Sequence, residues 1–209
     1  MKRSNYTVGL IMLTFFVISF LTNITGPLIP DIIKGFNLSL TLVALLPFAF
    51  FIAYGVMSVP SGMLLEKYNE KKMMTAAFSV AFFGSLLLAL SPNYLSAVLS
   101  LFLIGCGMAI LQVVINPLLR TAGGEEHYAF NSILAQLIFG LASFVSPLVY
   151  SGMVFKLQVE EQSGGLFGLL GRFTPDNLPW ISLYWLFAVI SLVMIAVILA
   201  SRFPKVELS

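Results

Sequence analysis

Residues 95–119 read LSAVLSLFLIGCGMAILQVVINPLL, a run without a single Asp, Glu, Lys or Arg. At about 1.5 Å per residue it spans about 37 Å, enough to cross a hydrocarbon core of about 30 Å. A barrel strand needs only about 10 residues of alternating polarity, so an unbroken apolar run of this length satisfies its backbone as a helix. Five more charge-free stretches accompany it: Val8–Pro30, Leu40–Leu65, Met73–Leu90, Phe130–Phe155 and Ile181–Ala200. The expectation is an all-α membrane protein with six transmembrane helices. Composition agrees: of 209 residues 59% are hydrophobic and 10% charged, where a soluble domain carries roughly a quarter charged.

Met1-Lys2-Arg3 before the first run invites comparison with a signal peptide. That run is too long, contains Asn23, and ends at Gly26-Pro27 without a small-x-small cleavage site, so it reads as span one. Lys2, Arg3, Lys67, Lys71, Lys72, Arg120, Arg202 and Lys205 then fall on one side, with Lys34, Lys156 and Arg172 on the other. The positive-inside rule puts both termini in the cytoplasm, in a multi-pass protein of the inner (plasma) membrane whose first partner is the lipid bilayer. The net charge of +2 is therefore a topology signal and points to no nucleic acid. The lone Cys106 excludes an intrachain disulfide and reads as a small packing residue within Gly105-Cys106-Gly107.

The chain carries a weak internal repeat. Ser61-Gly62-Met63 recurs as Ser151-Gly152-Met153, and Gly26-Pro27-Leu28-Ile29 is echoed by Asn116-Pro117-Leu118-Leu119, both at an offset of 90 residues. One six-helix domain, 1–209, would divide into three-helix units at 1–90 and 91–209. Three crossings per unit turn the second upside down, giving a 3+3 inverted repeat. Pro27 is expected near the outer end of span one and Pro117 near the inner end of span four. Loops are short except for the outer one from Lys156 to Pro179, whose strip Gly164–Phe173 reads as an apolar segment resting at the membrane surface.

Nothing in the charge-free runs supports catalysis. There is no His-Glu-x-x-His, no intramembrane Asp pair and no Gly-x-Ser-x-Gly elbow, and His127 stands beside Glu125 and Glu126 in a loop. No acid or base within a span can act as general catalyst, so no enzyme, no metal site and no cofactor are expected. What the spans do hold is amides: Asn23, Gln112, Asn116, Asn131 and Gln136. Gln112 and Asn116, four apart, share one helix face. Such groups either bridge helices or line a cavity for a neutral, hydroxyl-rich ligand, since each amide both donates and accepts. Asn23, Gln112, Asn116 and Gln136 are the candidate ligand contacts, with Tyr54, ahead of Phe51 and Phe139, as a stacking platform.

The turn after span two, Gly62-Met63-Leu64-Leu65-Glu66-Lys67-Tyr68-Asn69-Glu70-Lys71-Lys72, resembles the major facilitator superfamily loop G-x-L-x-D-R-x-G-R-[KR]. Gly62 and Leu64 match, Glu66 and Lys67 stand for Asp-Arg, and Lys71 and Lys72 for the basic end. Asn69 replaces the second glycine and Glu70 a basic residue. Leu111-Gln112-Val113-Val114-Ile115-Asn116-Pro117 with Leu134-Ala135-Gln136 resembles helices four and five of the fucose permease and glucose/galactose transporter family. Asn23-Ile24-Thr25-Gly26-Pro27, Pro179–Trp185 and Phe203–Leu208 resemble its helix one, helix six and exit.

The resemblance implies half of a twelve-helix fold that imports sugars by alternating access. Gly62, Glu66, Lys67, Lys71 and Lys72 would form its gate loop, and a neutral sugar would be its ligand. A second copy of the chain or a complementary six-helix half would be its partner. Where such relatives carry membrane carboxylates in helices one and four, this chain has Asn23 and Gln112, which implies passive or non-proton-coupled movement. The competing reading is a six-helix module that does not transport: a sensor, an assembly subunit or an excised fragment.

Overall fold

The computed structural model describes residues 5–159, 173–175, 177–201 and 203. Its regular elements are α1 (Asn5–Asn23), α2 (Thr25–Phe36), α3 (Leu40–Lys67), α4 (Glu70–Leu90), α5 (Tyr94–Gly123), α6 (Tyr128–Val159) and α7 (Ser182–Ala200), with 3-10 turns at Glu125–His127 and Pro179–Ile181. Taken together, α1 and α2 make one interrupted span, so among the described residues six helical spans are long and apolar enough to cross a bilayer. Of the long loop expected between Lys156 and Pro179, residues 160–172 and 176 lie outside the described residues.

The short turns are set by polar caps. Ser39, Asn69 and Asn93 accept from the backbone N–H groups of Leu42, Lys72 and Ser96, satisfying donors that the first turns of α3, α4 and α5 leave free. Asn69, where the resembled loop has glycine, is thus the cap of α4. Asn37 ends α2 in the left-handed region at φ 50°, and Gly124 takes φ 81° between α5 and α6.

Span one departs from its expected end. The charge-free run stops at Pro30, yet the helix interrupted at Ile24 resumes at Thr25 and continues to Phe36. Pro27 falls in the first turn of α2, where a missing N–H is least costly. Pro27 is therefore not close to the end of the span, and Asp31, one residue past the charge-free run, is helical.

Packing is organised around α5, which lies against both α3 and α4. Gly105 and Gly107 make this possible. A Cβ on Gly105 would stand 2.5 Å from the Phe50 carbonyl oxygen of α3, and one on Gly107 2.6 Å from the Ala77 carbonyl oxygen of α4. Two residues apart on a helix point to nearly opposite sides, so the pair admits one neighbour on each flank, with Cys106 buried between.

The spans also pack in a repeating order. Span two lies on span four as span five lies on span one, while spans three and six pack on each other. Along the chain the buried share of each span's most apolar stretch runs 67, 28, 50, 67, 17 and 39%, the same high, low, intermediate order twice. Such an order is what two three-span units of opposite direction would give. The two copies of Ser-Gly-Met do not share an environment: Ser61 is buried and Met63 exposed, whereas Ser151 is exposed and Met153 buried.

Candidate functional site

Depth along each helix places the candidate residues. Tyr54, Asn23, Gln112 and Gln136 each lie within about four residues of the middle of their own span, about 6 Å along an axis rising 1.5 Å per residue. Asn116 lies about 11 Å from the middle of α5, toward its C-terminal end. Asn23, Tyr54 and Gln112 are half-buried, and Asn116 and Gln136 are exposed on the surface of the bundle. Asn116 donates from Nδ2 to the backbone carbonyl oxygen of Gln112 at 3.0 Å, which ties its side chain back to its own helix. No hydrogen bond joins Asn23, Tyr54, Gln112 and Gln136 to one another; they are neighbours only through the packing of α1 and α3 on α5 and of α1 on α6. Tyr54 lies against Phe50 with ring centroids 6.2 Å apart, Phe51 is exposed and Phe139 half-buried. Asn131 stands apart from this group, buried with its Nδ2 against Gly123, where it packs α6 on the end of α5.

The seam between α1–α2 and α6 carries side-chain hydrogen bonds that pattern reading did not find. Ser19 Oγ donates to the Phe139 carbonyl oxygen at 2.6 Å, and Ser146 Oγ to that of Phe20 at 2.9 Å. Farther along, the Tyr150 hydroxyl donates to the Asp31 carboxylate. A serine in an apolar run gives no sequence signal for a partner on another helix, but Asp31 followed three residues later by Lys34 was visible as polarity inside what proves to be a helix.

Where α3 turns into α4, Glu66 and Lys72 are exposed, and Lys67 sets its ammonium 5.7 Å from the Tyr68 ring centroid. Gly62 has no heavy atom within 4 Å of the place a Cβ would take, so no close approach is made there among the described residues. Lys71, expected to join Glu66 in a gate, turns elsewhere. Its Nζ donates to the carbonyl oxygens of Leu199 at 2.6 Å and Ser201 at 2.9 Å, capping the C-terminal end of α7. Tyr6 meets Ser201 Oγ at 2.7 Å, so spans one, three and six are tied together on this face.

Among the described residues no three His, Cys, Asp or Glu side chains gather as metal ligands. The chemistry on offer is neutral hydrogen bonding at mid-depth, on helices whose least buried members, α3 and α6, leave one apolar side open. The fold is that of an all-α integral membrane protein with six spans among the described residues.

The comparisons with known proteins carry this further. The chain belongs to the Major Facilitator Superfamily, whose family model it matches over residues 11–208. It is similar to the glucose/galactose transporter of Brucella abortus, 32% identical over 152 residues, covering 70% of this chain and 37% of that protein. It is also similar to the L-fucose-proton symporter of Escherichia coli, 23% identical over 205 residues, covering 92% of this chain and 46% of that one. A crystal structure of the superfamily transporter FucP in the outward conformation shares the fold with a TM-score of 0.74 at 22% identity, over 97% of this chain and 51% of that chain. The chain thus spans about half the length of the relatives it matches, and those relatives are transporters, not enzymes.

Proposed function

We propose that this chain is a half-transporter that carries a neutral sugar, a hexose or a fucose-like sugar, across the inner membrane by alternating access, with both ends cytoplasmic. A second copy of the chain, or a separate six-helix half, completes it. The observation that carries the reading is the set of uncharged hydrogen-bonding groups at mid-depth, on Asn23, Gln112 and Gln136, in a chain half as long as sugar-transporting relatives. Left against lipid such groups are costly. Three or four contacts at about 1 kcal/mol each give about 4 kcal/mol, near millimolar affinity, weak enough to release. The open sides of α3 and α6 supply the apolar surface against which the completing half packs, in two halves related by an axis along the membrane normal.

Coupling follows from the same groups. Amides do not titrate, so Asn23 and Gln112 carry no proton. Asp31 is the acid that the extended helix brings into span one, and it lies about 16 Å from the middle of that span, at the edge of a hydrocarbon core of about 30 Å. From there it cannot face the two sides in turn. Movement by this chain, or by its homodimer, is passive or tied to an ion other than the proton. Glu66 and Lys72, both exposed, with Lys67 beside the Tyr68 ring, would make the state-dependent contacts at the gate loop, with Gly62 as the open point of approach. Lys71 holds the loop's far end to α7.

The test is the mass and activity of the purified protein in lipid nanodiscs and vesicles. A dimer, or a complex with a second six-helix chain, that exchanges labelled glucose, galactose or fucose against an internal pool supports the reading. A stable monomer that exchanges none of them contradicts it and favours the non-transporting module.

A further inference from the structure

Asn23 is the one mid-depth amide whose hydrogen-bonding polarity the fold settles. Its Nδ2 lies 2.9 Å from the Ser19 carbonyl oxygen and 3.1 Å from Ser19 Oγ. Ser19 Oγ has already given its hydrogen to the Phe139 carbonyl oxygen on α6, at 2.6 Å, so what it presents to Asn23 is a lone pair. The amide therefore faces two acceptors and must turn its NH2 group to them; a flipped amide would set Oδ1 against both. Nδ2 is committed to Ser19, and Oδ1 is left without a partner among the described residues.

The backbone adds a second acceptor at the same place. Four residues on stands Pro27, which has no N–H to give to the Asn23 carbonyl oxygen. Beside it, the Thr22 hydroxyl is buried with no partner among the described residues. The interruption of span one, about 4 Å from its middle, thus leaves the Asn23 side-chain oxygen unpartnered while its nitrogen is held by Ser19.

We infer that Asn23 is a specificity-determining residue that reads its ligand as a hydrogen-bond donor: a sugar hydroxyl must give its hydrogen to Asn23 Oδ1. This rests on the transport reading above. The polarity comes from elsewhere in the fold, from Ser19 and the Phe139 carbonyl of span five, which makes Ser19 a positioning residue for the amide. The consequence is selectivity for hydroxyl over fluorine. Fluorine at the ring position that meets Asn23 keeps nearly the same bulk and a weak acceptor but removes the hydrogen, leaving two acceptors face to face.

The experiment measures binding of labelled D-glucose, D-galactose and L-fucose to the full chain in lipid nanodiscs, with competition by their monodeoxyfluoro analogues one ring position at a time. For the sugar that binds, one position is expected to lose about tenfold in potency, the scale of a hydroxyl lost from a buried hydrogen bond. Against Asn23→Ala, checked for an unchanged gel-filtration profile, the hydroxyl and fluoro forms at that position should compete equally. Fluoro analogues that all compete as well as their parents in the unmodified protein overturn the inference while the transport reading stands. So does tenfold discrimination that survives in Asn23→Ala. If no labelled sugar binds at all, the transport reading falls and takes this inference with it.

Discussion

Replacing Gly105 with alanine places a methyl group 2.5 Å from the Phe50 carbonyl oxygen, where ordinary contact begins at 3.4 Å. The obstacle is backbone, so α3 and α5 must separate by about 0.9 Å along a line that also runs past Ala53, whose Cβ would be 3.2 Å away. Gly107→Ala does the same to α4, with its methyl 2.6 Å from the Ala77 carbonyl oxygen. Overpacking of a fitted contact costs about 1–3 kcal/mol. For a chain of this length that corresponds to a loss of about 2–12 °C in melting temperature. Gly55→Ala and Gly140→Ala supply the control, because nothing lies within 4 Å of their added methyl groups. Both should match or slightly exceed the parent, since alanine is the better helix former. The assay is thermal unfolding in mild detergent, followed by fluorescence-detected gel filtration, with all four variants side by side. Gly105→Ala and Gly107→Ala melting with the two controls would refute the argument that these glycines set the α3–α5 and α4–α5 distances.

Three further outcomes are expected. Tyr150→Phe strips Asp31 of its donor and should cost about 1 kcal/mol of thermal stability, Asp31 being only half-buried; Asp31→Asn, which still accepts the bond, should stay near the parent, and equal losses in both would dissociate the pair from stability. Lys71→Met removes the charged cap on α7, so amide hydrogens of its last turn should exchange faster, whereas exchange confined to parental rates would mean Leu199 and Ser201 do not depend on it. Glu66→Gln in the gate loop should change turnover in vesicles more than sugar affinity, because only contacts that differ between two states shift their balance; unchanged kinetics would leave the loop as a topology signal.

The helices were legible because the bilayer imposes a simple condition on sequence: six charge-free runs cannot be anything but spans. Gly105-Cys106-Gly107 was legible as small residues, although not which helix each glycine would meet. The end of span one was misplaced since Pro27, Pro30 and Asp31 each look like punctuation, and only the structure shows the prolines tolerated within a helix that reaches Phe36. The candidate amides could be named from sequence, but the direction of Asn23 could not, because it is decided by Ser19 and by a carbonyl 116 residues away on another helix. Lys71 misled for a similar reason. Its local pattern says gate loop, while its bonds go to the end of a helix 128 residues on. The Ser-Gly-Met repeat did not predict burial, since spans two and five present different sides of the same tripeptide.

The central claim is that this chain handles a neutral sugar through groups that cannot carry a proton. Labelled sugar is added to lightly buffered vesicles containing only this protein, and uptake and external pH are followed together. The account predicts uptake down the sugar gradient with no sugar-dependent change in external pH. Uptake accompanied by external alkalinisation would contradict it.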